Sequence, residues 1–313
     1  MHGLVVDSPI PLDGRRVDGP PDYRVVEGET RNHSGPPRGR LLAEYRLGKL
    51  SSSVTEDTGD PARRTLRYGG ICDVVVDTGD RAITVHPHPR ADPELIPLLL
   101  CSSVLAHVLA TEGQPCLHAS AVERGGEALA IVGSGGAGKS TLAALLCAAG
   151  ARLVSDDVLR VGFAGEEAQC FLGTGLLRLR ANAAELAAGF DGIEQHLSAD
   201  ERTCIAPSRP TSSRVPLAAI LVPRPSHEAR ELDAQPLGSR EALLELVRFP
   251  RLISWLGGPP IRDHFVAAAR LAKTVPVFRA SVPWGPPFAE DLAEELLDAV
   301  GMSSPLAATS RDG

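Results

Sequence analysis

The stretch Gly133-Ser134-Gly135-Gly136-Ala137-Gly138-Lys139-Ser140 constrains this chain more than any other. It fits the phosphate-loop (Walker A) pattern G-x-x-x-x-G-K-[ST] at every fixed position. Its flanks are also the required ones. Leu129-Ala130-Ile131-Val132 is an apolar run suited to a strand entering the loop, and residues 141–149 are good helix formers leaving it. Glycines let the backbone turn so that successive N–H groups point inward, which makes an anion nest at a helix N-terminus. In such a loop residues 133–141, Gly133 through Thr141, cradle the phosphates of a nucleotide such as ATP. Lys139 reaches the terminal phosphates and the Ser140 hydroxyl ligates Mg2+. The bland reading, a glycine-rich turn with an incidental lysine, fits the complete pattern in its full context poorly.

A second feature lies downstream. Gly150 stands where a helix-ending glycine belongs, and Arg152-Leu153-Val154 begins a strand that runs into Ser155-Asp156-Asp157. A strand, a helix and a parallel strand form a βαβ unit, so both strands finish at one edge of the sheet. Ligands of such sheets collect at that edge, and the aspartates are therefore expected beside the loop. Two carboxylates there suit phosphoryl transfer, one orienting Mg2+ and the other accepting the proton of an attacking hydroxyl. A solvated Asp-Asp turn after a strand is the alternative.

Upstream, Gly125-Gly126 separates two strand-like runs, 117–122 and 127–132, as a two-residue hairpin turn would. With the two glycines at the centre, His118 falls opposite Gly133, at the mouth of the loop. A histidine there can sense phosphate charge or hydrogen-bond the reacting group. A strand histidine satisfied by its neighbours is equally consistent with the residues.

The rest of the chain bounds the architecture. With 43% apolar and 23% charged residues, the 313-residue chain can bury a real core. A net charge of −7 argues against a general nucleic-acid binder. No run approaches the roughly 18 apolar residues of a membrane helix, and the start has no signal-peptide pattern. Cys72, Cys101, Cys116, Cys147, Cys170 and Cys204 are scattered without a C-x-x-C pair, which disfavours zinc and a disulfide framework. These features point to a cytoplasmic protein with neither a membrane nor a nucleic-acid partner.

Residues 1–90 read as a small strand-rich region, with strands at 4–6, 23–26, within 41–54, at 73–76 and at 82–85, and a mobile start. Residues 91–302 read as an α/β catalytic domain: a helix from Pro93 to about Ala110, then the loop region. Strands follow at 176–179, 217–222 and 275–280, with helices at 240–247 and 262–273 and a closing amphipathic helix through Leu292, Leu296, Leu297 and Val300. Residues 303–313 read as a flexible tail.

Taken together, the ordered set His118, the loop ending in Gly138-Lys139-Ser140, and Asp156-Asp157 resembles the HPr kinase/phosphorylase superfamily. The histidine stands 21 residues before the lysine and the aspartates 17 and 18 after it. The likeness is strong over residues 117–158 and follows the rest in outline. It implies a compact α/β core related to phosphoenolpyruvate carboxykinase, with a mixed sheet. It also implies Asp156 as general base toward a seryl hydroxyl, with Asp157 and Ser140 near Mg2+, the division between the two aspartates being open. A glycine-containing E-x-R-G motif follows in the family. Leu177-Arg178-Leu179-Arg180-Ala181 keeps arginines there but neither the glutamate nor the glycine, which weakens the case for the carrier protein HPr as acceptor. The chain is more similar to the shorter kinase-like relatives among peptide-tailoring enzymes, including those that phosphorylate the C-terminal serine of lasso-peptide precursors. The resemblance thus implies an ATP- and Mg2+-dependent kinase acting on a serine of a peptide or protein. A kinase of a small hydroxylated molecule and a slow nucleotide-dependent switch remain as alternatives. The oligomeric state, a homo-oligomer among the options, stays open.

Overall fold

The computed structural model describes residues 1–302 apart from Ser34, Gly48, Lys49, Asp191, Gly192, Glu194, Ile253, Ser254 and Leu256. The expected tail at 303–313 lies outside the described residues. The chain is mixed α/β, and its sheets combine parallel and antiparallel pairs.

The first sheet has seven strands in the spatial order Val6–Asp7, Tyr23–Glu27, Ala82–Pro87, Cys72–Asp77, Arg63–Tyr68, Leu50–Glu56, Arg40–Leu47. Alternation decides which face is covered. Val74, Val76, Ile83 and Val85 are buried, and they share a core with Leu100, Val104, Leu105 and Leu109 of the following helical run. That run spans the helix expected from Pro93. It is α-helical over Leu95–Leu99 and Leu105–Thr111, with a π-helical turn over Leu100–Val104 between them. Gly113 closes it with φ +71°. The Arg63–Tyr68 strand carries no sequence signal, since Leu66 is its one buried hydrophobic residue.

The second sheet carries the phosphate loop. Strand Glu127–Val132 pairs antiparallel with Ala119–Arg124 in the register Glu127↔Arg124 to Val132↔Ala119, which is the register a Gly125-Gly126 turn dictates. Both glycines have positive φ, +64° and +94°, as a tight hairpin between right-twisted strands requires. On its other side Glu127–Val132 pairs parallel with the long strand Arg214–Ser226, which in turn pairs parallel with Val277–Pro283. The βαβ expectation needs one correction. Arg152–Ser155 runs in the same direction as Glu127–Val132, but Ala119–Arg124 is hydrogen-bonded between them. Two antiparallel steps restore the direction, so both strands still end at the same edge.

Both faces of this sheet are covered, which explains the unbroken apolar run from Ala128 to Val132. Leu129 and Ile131 pack with helices Lys139–Ala148 and Leu292–Ala299. Ala128, Ala130 and Val132 pack toward helices Ser239–Leu246 and Pro259–Thr274. A small third sheet, Leu177–Leu179, Thr203–Ile205 and Gln195–Leu197, stands next to the loop helix. All six cysteines are free and buried. Among the described residues no helix is long and apolar enough to cross a membrane.

Leu142, fully buried on the loop helix, tests this packing. Leu142→Ala is expected to lower the unfolding free energy by about 2–5 kcal/mol, because the fixed sheet behind it cannot collapse into the space. A denaturant titration measures it, and a loss well under 1 kcal/mol would mean that the helix is loosely seated.

Candidate active site

The loop between Val132 and Lys139 is shaped by its glycines. Gly136 and Gly138 have φ of +87° and +81°, a region that side-chain-bearing residues adopt at a cost. Gly138 has a second reason to lack a side chain, since a Cβ there would run into the indole of Trp284. Ser134, Gly135 and Gly136 are exposed. The loop helix has no side-chain cap at its N-terminus, so its first amides are not claimed by the protein's own side chains. An exposed, glycine-shaped and uncapped helix start fits a phosphate chain.

Lys139 rises from the first turn of the helix and is 7% exposed. Its Nζ donates to the Ser134 carbonyl at 2.9 Å and lies 3.0 Å from His118 Nε2. Burial lowers its pKa from 10.5 to about 8; Asp157 and Asp156 pull the other way, and Arg251 and Arg180 add to the lowering.

His118 sits at the end of the hairpin, one residue past the last ladder pair. Its backbone N–H donates to the Phe249 carbonyl at 2.9 Å, and Nδ1 lies 3.1 Å from the Asp157 carbonyl and 3.2 Å from Asp157 Oδ1. An ammonium donor at Nε2 places the ring proton on Nδ1, which then donates to Asp157. Lys139, His118 and Asp157 therefore form one hydrogen-bonded bridge.

The two aspartates part company at this point. Asp157 has φ +69°, a left-handed conformation that Asp tolerates better than most residues. Its Oδ2 accepts from Arg251 Nη2 at 2.7 Å. Although burial pushes the Asp157 carboxyl upward, the Arg251 charge and the His118 hydrogen bond prevail and hold it well below the usual carboxylate range. Asp156 is 4% exposed and faces the other way. Its Oδ1 accepts from Ser120 Oγ at 2.5 Å and from Ser140 Oγ at 2.8 Å, and its Oδ2 from the Arg178 backbone N–H at 3.3 Å.

The loop, His118, Asp156 and Asp157 thus meet at one sheet edge, and the hydrogen bonds divide the two aspartates, a division the sequence leaves open. Ser140 was expected to share a metal position with Asp157. It bonds Asp156 instead, because the left-handed turn at Asp157 swings that carboxylate over to His118 and Arg251. The sequence reading also left residues unassigned. Ser120, a polar residue in an otherwise apolar strand, could have been noticed. Arg251, 94 residues from Asp157, carried no signal. Arg180, exposed, stands with Nη1 3.8 Å from where a Gly136 Cβ would be, and so overhangs the loop.

Two expectations follow from this geometry. Gly138→Ala combines backbone strain with a collision against Trp284, and should weaken nucleotide binding about tenfold or more. Adding Trp284→Ala should recover only part of the loss, since the strain remains; calorimetric titration showing full affinity in Gly138→Ala would contradict the loop geometry. The second concerns pH. Between about 8 and 10.5 the unfolded chain holds a lysine proton that the folded chain has released, so stability attributable to Lys139 rises with pH across that window. Lys139→Met removes the buried charge. It should raise stability at neutral pH, without nucleotide, by on the order of 1–3 kcal/mol and abolish that rise. Denaturant titrations across the window decide it, and a variant less stable than the parent would mean the charge is well solvated.

No family model matches the chain, and no curated protein matches it. Among solved structures it is similar to the Hpr(Ser) kinase/phosphatase from Coxiella burnetii, at 12% identity and a TM-score of 0.31, over 58% of this chain and 93% of that one.

Proposed function

We propose that this chain is an ATP- and Mg2+-dependent kinase of the HPr kinase-like type, transferring the terminal phosphate to a serine hydroxyl of a peptide or protein. One observation carries the reading. The phosphate loop, the Ser140–Asp156 pair and the Lys139–His118–Asp157 bridge converge at a single sheet edge. Each part has a task in moving a phosphoryl group.

The residues fit the metal that this chemistry uses. Among the described residues no group of three or more His, Cys, Asp or Glu is placed to hold a metal. Mg2+ does not need such a cage, as it keeps water and phosphate oxygens and takes one or two protein oxygens. Ser140 and Asp156 would supply those. When bound, the metal neutralises charge on the phosphates.

The remaining steps fall to the chain's own groups. The loop amides hold the phosphates, and Lys139 moves its donor from Ser134 and His118 to the terminal phosphate. His118 holds Asp157 in place through Nδ1. Asp157, held ionised by Arg251, accepts a hydrogen bond from the attacking hydroxyl and orients it. Its low basicity is tolerable, because a loose transition state asks for the proton late. This exchanges the aspartate roles expected from the resemblance, with Asp156 at the metal and Asp157 at the acceptor.

The test uses radiolabelled ATP, serine-containing peptides and two variants. Asp157→Asn, which keeps the left-handed backbone accessible, should lower transfer by about 10²-fold or more while Mg-ATP still binds. Asp156→Asn should weaken magnesium-dependent nucleotide binding itself. The opposite pattern returns the roles to the first assignment. Nucleotide turnover surviving in Lys139→Ala would remove the site altogether.

A further inference from the structure

Four residues that the proposed chemistry does not use form a second charge system beside it. Glu245, on the helix Ser239–Leu246, is buried, with its side chain 7% exposed, and it accepts from three arginines. Arg224 Nη2 lies 2.8 Å from Oε1, Arg279 Nη2 3.0 Å from Oε1, and Arg248 Nη1 3.3 Å from Oε2. Three guanidiniums on one carboxylate leave two positive charges in excess. Asp233, on the strand paired with that of Arg279, accepts from the Gln235 amide. A single carboxylate has too few lone pairs for fifteen guanidinium N–H donors. The arginines also stay open to solvent, with side chains 43%, 40% and 62% exposed for Arg224, Arg279 and Arg248. The buried carboxylate therefore works as an anchor that holds three forks with their outer donors facing out.

The position of this set is fixed by two connections. Arg224 lies three residues beyond Leu221, the partner of Ile131 in the loop strand, and so at the phosphate-loop edge of the sheet. Arg248 lies three residues before Arg251. The segment between them is tied to the active site, since the Phe249 carbonyl accepts the His118 N–H and the Arg251 N–H donates to the Cys116 carbonyl at 2.9 Å. A surface of surplus positive charge thus borders the proposed acceptor position, in a chain whose net charge is −7. Against that background, a local cationic patch selects anions by position and not by bulk attraction.

We propose that Arg224, Arg248 and Arg279 form a docking surface for acidic side chains of the acceptor, so that the substrate is a serine flanked by aspartate or glutamate. This rests on the kinase reading above, and the experiment separates the two. Fluorescein-labelled peptides with one serine and either Asp/Glu, Asn/Gln or Lys neighbours are compared in two assays, binding by anisotropy and phosphate transfer from ATP. The acidic peptide is expected to bind about tenfold or more tightly than its amide counterpart, a preference shrinking as salt is raised. Arg224→Gln and Arg248→Gln should each raise KM for the acidic peptide severalfold with kcat and acceptor-free ATP turnover unchanged, and Arg248→Lys should restore part of it. Equal binding of acidic and amide peptides, or arginine variants that leave the acidic KM unmoved, overturns the docking surface. Selective binding of the acidic peptide with no transfer to any peptide overturns the kinase reading and leaves the surface standing.

Discussion

The site is organised by one buried ammonium. Lys139 is nearly enclosed, and a lysine in that position loses hydration it can regain only from fixed partners. The Ser134 carbonyl and the His118 ring supply them. His118 can accept from the lysine only if its proton sits on the other nitrogen, which calls for an acceptor there, and Asp157 provides it. Asp157 in turn keeps its charge because Arg251 faces it. Each group is held in place by its neighbour, from the loop helix through the hairpin and the aspartate turn to a segment about a hundred residues further along. Removing the Asp157 carboxylate would leave the buried Arg251 guanidinium without its charge partner, so the four positions constrain one another more tightly than any pair does.

Some of this was legible in the sequence and some was not, for physical reasons. The hairpin register could be read because a two-residue glycine turn fixes the pairing of every residue on either side. The direction of Arg152–Ser155 could be read from the connecting helix. Its neighbour could not, because local sequence does not say whether another strand is inserted between two parallel ones. The sharing of tasks between the aspartates was hidden, since it depends on one backbone angle at Asp157. Arg251 was hidden too. Its place follows from long-range closure of residues 249–251 against 116–118, and nothing in the periodicity of either segment announces that contact. Of the small third sheet, Leu177–Leu179 falls within the strand expected at 176–179, but its partners Gln195–Leu197 and Thr203–Ile205 are too short to show a period.

The mixed sheet carries these long-range relations. Arg214–Ser226 is thirteen residues long and pairs with three different strands along its length. It therefore holds the loop strand, the Glu167–Phe171 hairpin arm and Val277–Pro283 in one frame. Residues from one strand face both layers of helices, Leu221 toward the loop helix and Ile220 and Val222 toward the other side. Burial on both faces leaves this strand little freedom to shift, and the groups set at its end inherit that rigidity.

The left-handed backbone at Asp157 bears on how such a site decays by descent. Few residue types occupy that conformation readily: glycine does so freely, and asparagine and aspartate do so better than the rest. Drift at this position is consequently channelled. A lineage that abandoned the chemistry while keeping the architecture would reach asparagine or glycine at 157 far more easily than alanine, valine or leucine. Neighbouring Asp156, under no such restriction from its backbone, would decay along a wider range of replacements. The two halves of one dipeptide would then record the loss of function in different alphabets.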